Sequence, residues 1–560
     1  MMDSDLNLFC EEEQESEEDL SDVDQVEEEE EEQSDESNDE EEDVKSTSSP
    51  PNEGFLFGKN KTSKWYQQPQ AIGQKKSFSK NQRSEGAVHP NFPIHSTKAA
   101  FQMFLTEEMV EIIIECTNKK GAFKYGQRWE PVNKTELYAW IGLHIRAGIN
   151  HDGLRPIHEL FSAKEGPAVY GASMSRRRFN EIKENIRFDD IETRQERKES
   201  SDQGSLSPIH DIFTKFVESC NAMYKPYKNV TIDESIVGFK GRCSFKIYMP
   251  SKPVRFGLKV WTMCDSKNSI LCNAQVYTGK KFKGSEIGQG KRVVLDLSTN
   301  IAGTGRNITA DNLFTSISLC EELWNRNLTF LGTMRKNKGE IPPSFQGSKR
   351  REVQSTNFGF SKDLKMMMAS YVPKKGKSVV MLSSAHYCPS IDEQPPFKPK
   401  MILDYNKSKG GVDTFDQCIK NYSCKRTTNR WPLSLIYWII DASEYNSSVC
   451  YMMKNPAMYQ GSQKRRKFLY DLSEELLGPQ ILRRAQSTDF SRLHKETRTK
   501  INLCLPSEPM VPQAGEGTSK KRRCIKCPRQ MDKKTTKSCA KCSMPICNDH
   551  IQYICNDCLS

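Results

Sequence analysis

The chain has 560 residues and a formal net charge of +9, long enough for two to four domains of roughly 150 residues each. Its first residues are acidic rather than a basic stub before an apolar run. Its longest strongly apolar patch, Leu435 to Ile440, is far short of the roughly 20 residues of a membrane helix, so neither a secretory leader nor a membrane span is expected.

Cysteine placement points the same way. Twelve of nineteen are scattered singly from Cys10 to Cys504 and seven crowd between Cys524 and Cys558, which fits a reducing compartment with a metal module rather than a disulfide framework. Residues 1–45 hold 24 Asp and Glu against one Lys, a net of −23, which leaves +32 on residues 46–560. Lysine and arginine gain affinity for phosphates by releasing counterions, so the basic body implies a polyanionic partner, although surplus Lys also serves solubility alone. The acidic tail, opposite in charge to the body, is expected to restrain binding of that polyanion.

In chain order, residues 1–50 lack large apolar groups and are expected to be disordered, with Ser34 and Ser37 as acidophilic-kinase sites or simply solvated. Residues 51–95 read as a flexible basic linker. Apolar residues at helical spacing follow: Phe101, Phe104, Leu105, Met109, Val110, Ile113 and Ile114. A second helix is expected from Asn133, with Glu136 as capping-box partner, and a third after Ser175. The outer face of that third helix carries Arg176, Arg177, Arg178 and Lys183, which would contact phosphate or merely be solvated. From Val230 the composition turns to short β-branched and aromatic runs. Leu258–Met263 is a plausible strand, and a helix is expected from Ser316 through Trp324. Residues 337–400 are irregular, with short strand candidates such as 379–382. Trp431-Pro432 opens a long, largely buried helix.

Three stretches carry chemistry. Asp233 ends the run Val230-Thr231-Ile232, ahead of the basic, glycine-punctuated Gly238-Phe239-Lys240-Gly241-Arg242. Asp311 follows Ile308-Thr309-Ala310, and Asp413 lies in Gly410-Gly411-Val412-Asp413-Thr414-Phe415-Asp416. Mg²⁺ takes oxygen ligands and keeps several waters, so three or four carboxylates suffice for a two-metal phosphodiester site. Spacing alone does not pair these aspartates, and three unrelated surface aspartates would look the same. The blocks around them, Thr231–Arg242, Asn307–Asn312 and Lys409–Gln417, resemble the signature blocks of piggyBac transposases. That resemblance runs from about residue 95 to the C-terminus. It implies an α/β fold with an RNase H-like catalytic core, and Asp233, Asp311 and Asp413 as its metal-binding triad with Asp416 in support.

The resemblance also implies a domain plan. Residues 1–94 would be tail and linker, and 95–228 the first part of a helical DNA-binding and dimerisation domain. Residues 229–337 and 401–422 would form the catalytic core, interrupted by an insertion domain at 338–400. Residues 423–518 would complete the helical domain and lead into a cysteine-rich zinc domain at 519–560. Lys425, Arg426 and Arg430, just past the third aspartate, are cations placed to meet phosphate, and Trp431 is either a core anchor or a base-stacking ring.

The C-terminal signal stands without any resemblance. Cys524-x2-Cys527, Cys539-x2-Cys542, Cys547-x2-His550 and Cys555-x2-Cys558 supply eight ligands, enough for two tetrahedral Zn²⁺ sites. Spacing permits consecutive or interleaved pairing. The resemblance implies the interleaved cross-brace, with Cys524, Cys527, Cys547 and His550 on one ion and Cys539, Cys542, Cys555 and Cys558 on the other. Lys520-Lys521-Arg522-Arg523 upstream reads as a nuclear localisation signal or a phosphate-binding lead-in. The expected protein is thus a nuclear, two-Mg²⁺, two-Zn²⁺ cut-and-paste DNA transposase. As a homodimer it would bind terminal inverted repeats, form hairpin ends and join them into TTAA sites. The alternative is a domesticated nuclear DNA-binding protein that no longer transposes.

Overall fold

The computed structural model describes residues 54–69, 86–200, 204–250, 254–279, 286–363, 365–505, 522–524, 526–531, 533–535, 537 and 546–550. The acidic tail, Ser34, Ser37 and the basic run before Arg522 lie outside the described residues. The chain divides into two units, Met1–Ile501 and Asn502–Ser560.

The first unit opens with a hairpin, β1 (Phe55–Phe57) and β2 (Lys64–Tyr66), inside the stretch expected to be a flexible linker. That expectation is corrected here. Trp65 is only 2% exposed and its indole N–H donates to the Glu340 carbonyl at 2.9 Å, so one aromatic anchors a segment whose composition otherwise reads as solvated. A short strand, β3 (Ala87–Val88), pairs with β4 (Tyr224–Lys225), and a helical body lies between them in the chain.

Side-chain caps set where those helices start. Ser96, Thr106 and Asn133 each accept a bond from the backbone N–H three residues on, opening α1 (Thr97–Gln102), α2 (Glu107–Tyr125) and α3 (Lys134–Ile149). Prolines precede α4 (Ile157–Leu160) and α5 (Ala168–Ser173), and Ser175 caps α6 (Arg176–Asn185). The body ends with α7 (Arg194–Ser200) and α8 (His210–Met223). Asn133 caps as expected, but Glu136 does not complete a capping box. Its carboxylate accepts from Arg178 Nε at 2.8 Å and Nη2 at 2.7 Å, and both residues are buried. Arg178 is therefore a structural cation, not part of the expected phosphate-facing surface.

The sheet is built next from β5 (Asn229–Gly238), β6 (Ile247–Tyr248), β7 (Phe256–Asp265) and β8 (Leu271–Val276). After α9 (Gln289–Leu297) come β9 (Asn307–Ala310), α10 (Ile317–Asn325, capped by Ser316) and β10 (Thr329–Thr333). The central order is β8-β7-β5-β9-β10, with β5, β7 and β8 antiparallel and β9 parallel to both β5 and β10. This is the mixed arrangement expected of an RNase H-like core. Leu258, Val260, Trp261 and Met263 of β7 are all essentially unexposed, because a central strand is covered on both faces.

Three further strands, β11 (Thr356–Phe360), β12 (Met367–Tyr371) and β13 (Val379–Ser383), extend the same sheet, with β13 antiparallel to β10. Phe360 of β11 pairs with Tyr66, so the N-terminal hairpin forms the far edge. The chain returns through α11 (Lys400–Ser408) and α12 (Gly411–Asn421) to α13 (Trp431–Lys454) and α14 (Lys464–Ala485), then ends the helical series with α15 (Lys495–Cys504). Every residue of α13 from Leu433 to Met452 is buried, as a helix apolar on most faces requires. Two of them are carboxylates, Asp441 and Glu444, whose pKa values burial pushes above the usual range.

Candidate active site and zinc centre

Strand register brings the first two aspartates together. Ile232 of β5 stands opposite Ala310 of β9, and Asp233 and Asp311 are each the next residue along these parallel neighbours. Parallel strands run about 4.8 Å apart, so the two carboxylates lie side by side. They sit just beyond the carboxyl terminus of β9, the usual place for a site in an α/β sheet, and midway along the longer β5.

Side chains alternate across a strand, so Thr231, Asp233 and Ser235 lie on one face of β5. Helix α12 is seated on that face. A Cβ on Gly411 would stand 2.5 Å from Thr231 Oγ1 and 3.2 Å from the Ser266 Cα, so only glycine admits the helix this closely. At the other end of the contact, Ser235 Oγ donates to Asp416 Oδ1 at 2.7 Å. Asp233 lies between those anchors on the strand, and Asp413 lies between them on the helix. Asp413 is exposed and sits in the first turn of α12, where the helix dipole favours a negative charge.

Threonines two residues before each strand aspartate hold the approach to that helix. Thr231 Oγ1 donates to the Ser408 carbonyl at 2.5 Å, and Thr309 Oγ1 bonds Ser408 Oγ at 2.8 Å. Replacing Gly411 by Ala should therefore lower stability by about 1–3 kcal/mol through overpacking and displace Asp413. Chemical denaturation would read the first effect. Loss of activity exceeding the loss of folded protein would read the second.

Tyr405 of α11 lies within electrostatic reach of all three carboxylates. Burial pushes its phenol pKa upward, and Asp311, Asp233 and Asp413 each push it the same way. The phenol also hydrogen-bonds Thr333 at the end of β10. It thus stays protonated, a neutral donor beside three acids. Sequence reasoning passed over Tyr405, for which the only signal was a tyrosine eight residues before Asp413.

Glu234, adjacent to Asp233, points to the opposite face. It is buried and ion-paired with Lys259 at 2.9 Å, and the Lys259 ammonium lies 4.2 Å from the centre of the Trp261 ring. Two basic clefts stand out, the first of them beside Asp311. One, of about 360 Å³, is lined by Asn312, Leu313, Arg335, Asn337, Lys338 and Gly339, and Arg335 Nε donates to Asn312 Oδ1 at 3.1 Å. Arg335 and Lys338 also escaped sequence reasoning, since they stand 24 and 27 residues after Asp311. The other cleft, of about 710 Å³, gathers Lys240, Arg242 and Lys246 with Asn429.

The three cations expected to meet DNA are turned inward, and that reading is corrected. Lys425 Nζ bonds the Gly238 carbonyl. Arg426, buried, donates to the carbonyls of Asp152, at 3.1 Å, and Arg155. Arg430 donates to the carbonyls of Lys183, at 3.2 Å, and Ile186. Those carbonyls lie at the C-terminal end of α6, which intrahelical bonds leave open and which favours a cation. Trp431 meets Phe245 edge to face at 5.0 Å, and so serves as an anchor at the start of α13.

In the second unit, β14 (Arg522–Arg523) pairs with β15 (Lys534–Thr535) and leads directly into Cys524. Ile546, held by the Lys537 carbonyl and by Thr535 Oγ1, leads into Cys547. The ligand atoms of Cys524, Cys527, Cys547 and His550 all lie within 4.8 Å of one another. Cys527 Sγ is 3.6 Å from Cys547 Sγ, and His550 Nδ1 is 3.8, 3.7 and 3.3 Å from the sulfurs of Cys524, Cys527 and Cys547. A tetrahedral Zn²⁺ with bonds of about 2.3 Å to S and 2.0–2.1 Å to N sets edges of about 3.6–3.8 Å, so the set fits that ion. The first and third ligand pairs come together, the interleaved pairing. Cys539, Cys542, Cys555 and Cys558 lie outside the described residues.

The family described as Transposase IS4 matches residues 96–448. The fold is similar to a cryo-EM structure of a piggyBac transposase synaptic complex with hairpin DNA. The TM-score is 0.71 at 33% identity, covering 85% of this chain and 100% of that one. Human PiggyBac transposable element-derived protein 3 is 24% identical over 351 residues, 59% of this chain and 57% of that protein. Its human relative, PiggyBac transposable element-derived protein 2, is 24% identical over 231 residues, 38% and 39% of the two chains. The chain thus spans little more than half the length of these curated relatives at most. Among the described residues, no helix is long and apolar enough to cross a membrane.

Proposed function

Because the chain belongs to the piggyBac-type Transposase IS4 family, we propose that it is a metal-dependent DNA transposase that cleaves transposon ends, forms hairpins on them and joins them into TTAA sites. The observation that supports this reading is the neighbouring register of Asp233 and Asp311, with the helix that bears Asp413 seated on the same face of β5. Asp416, bonded to Ser235, supports the helix that presents Asp413.

Hard carboxylate oxygens on two strands and a helix suit Mg²⁺. Two such ions held by Asp233, Asp311 and Asp413 would lower the pKa of water or a 3′-hydroxyl and neutralise charge on the scissile phosphate. The protein's own share is placement. Adjacent strands fix two aspartates, the Thr231–Ser408–Thr309 network fixes the segment leading to the third, and Tyr405 offers a neutral hydrogen bond to a phosphate oxygen. Arg335 and Lys338 beside Asp311, and Lys240 and Arg242 past the end of β5, would hold the DNA backbone. The body would act as a homodimer in the nucleus. Residues 95–228 and 423–518 would form its helical DNA-binding and dimerisation part, and 338–400 the insertion. The zinc unit, with a second ion on Cys539, Cys542, Cys555 and Cys558, would read end sequence.

Purified protein incubated with Mg²⁺ and duplexes carrying candidate ends should yield hairpin products on a denaturing gel, and a chelator should abolish them. Tyr405→Phe should lower that rate by about 10- to 100-fold, the worth of one hydrogen bond to a charged group. Binding without any product would instead favour a domesticated DNA-binding protein. The names of the human relatives, transposable element-derived proteins, keep that second reading in view.

A further inference from the structure

The loop 335–341 carries Arg335 and Lys338 past Asp311, yet its own backbone contributes few of its restraints. Lys338 N–H donates to the Arg335 carbonyl and Ile341 N–H to the Lys338 carbonyl, both long bonds of 3.2 and 3.3 Å. What closes the loop comes from the β1–β2 hairpin, far upstream in the chain. Four of its carbonyl oxygens, those of Lys336, Gly339, Glu340 and Ile341, accept from the β1–β2 hairpin. The donors are Lys59 Nζ at 3.2 Å, Asn60 N at 2.8 Å, Trp65 Nε1 at 2.9 Å and Lys59 N at 3.2 Å.

The hairpin is shaped to do this. Asn60 Oδ1 accepts from the backbone N–H groups of Thr62 and Ser63, at 3.1 and 3.0 Å, which holds the turn. Gly58 lets the two backbones touch, since a Cβ there would stand 2.7 Å from the Glu340 carbonyl oxygen and 2.8 Å from that of Gly339. Trp65, buried against Gly359, carries the register to β11.

We infer that the β1–β2 hairpin is a positioning clamp for the active-site loop 335–341, so that DNA engagement by Arg335 and Lys338 depends on residues more than 270 positions upstream. Trp65, Asn60 and Gly58 are positioning residues, since they act through the loop and touch neither substrate nor the aspartates. The functional half of this inference rests on the reading of Arg335 and Lys338 as phosphate contacts. The mechanical half does not.

Two variants test it, a chain beginning at residue 70 and Gly58→Val, which keeps Trp65 while forcing the turn off the loop. Amide exchange of 335–341, followed by mass spectrometry under native conditions, should speed by about tenfold or more in both, as expected when local opening becomes easier. A synthetic peptide of residues 54–69 added to the truncated chain should restore protection, which a general loss of stability would not allow.

Affinity for a short TTAA-containing duplex, measured across salt concentrations, supplies the second readout. Losing two phosphate contacts lowers the log–log salt slope by about 2. Arg335→Ala/Lys338→Ala should produce that change, Gly58→Val, which keeps the acidic tail, should reproduce most of it, and the combination should add little. Unchanged exchange in 335–341, or a fully additive loss of slope, would overturn the clamp. A double alanine variant with unaltered slope would instead overturn the placement of DNA at this loop, leaving the exchange result standing.

Discussion

Asp233→Asn should reduce hairpin formation and strand joining by on the order of 10³-fold or more, the scale on which removal of a group that stabilises transition-state charge acts. Asparagine keeps the shape of the side chain but removes the negative charge that a hard divalent cation requires. Because Asp233 is half-buried on a strand whose neighbours Ile232 and Glu234 are buried, the substitution leaves the core unchanged. Melting temperature should therefore stay within a few degrees of wild type. DNA affinity should hold or rise slightly, since one negative charge leaves a site that has Arg335 and Lys338 beside it. Asp311→Asn and Asp413→Asn should behave alike, and pairs of these substitutions should cost no more than one, as expected of residues acting as a unit. Asp416→Asn should cost less, because Ser235 can still bond an amide oxygen and α12 keeps its seat. Equal product from wild type and Asp233→Asn, both bound to DNA, would sink the catalytic reading.

The site was legible in the sequence to the extent that local patterns carried it. Asp233 and Asp311 each close a β-branched run, and the strands formed there with the two residues in neighbouring register. Caps such as Ser175 and Ser316 were equally readable, since an N-cap bond spans only three residues. What escaped was set by contacts between distant segments. Arg178 looked solvated on its own helix, but Glu136, 42 residues away, pairs with it. Lys425, Arg426 and Arg430 looked like a phosphate-binding run, but distant carbonyls claimed them. Residues 55–66 looked like linker because a single buried tryptophan, not a pattern, makes them a hairpin. The Thr231–Ser408 bond spans 177 residues, beyond the reach of any periodicity.

The second unit should be a folded domain only with Zn²⁺ bound. Its described core cluster consists of Cys524, Cys527 and Cys547, with no aliphatic or aromatic side chain in it, so apolar burial contributes little there. Zinc binding in small sites of this kind is worth about 10–16 kcal/mol of apparent folding free energy near pH 7. Cys547→Ala removes the ligand nearest His550, at 3.3 Å, and with it the 3.6 Å approach to Cys527 that joins the two pairs. The expected result is release of one Zn²⁺ per chain, measured by mass spectrometry, and proteolysis within Asn502–Ser560. The sheet and buried α13 of the first unit should survive. A strong chelator should do the same to wild type, and added Zn²⁺ should reverse it. Affinity should then split. Binding to a duplex of arbitrary sequence should persist through the basic body, while preference for true end sequence should fall, because phosphate contacts position and base contacts specify. Cys547→Ala protein that keeps its full zinc content would show that Cys524, Cys527 and His550 find a fourth ligand elsewhere, and the interleaved assignment would fail.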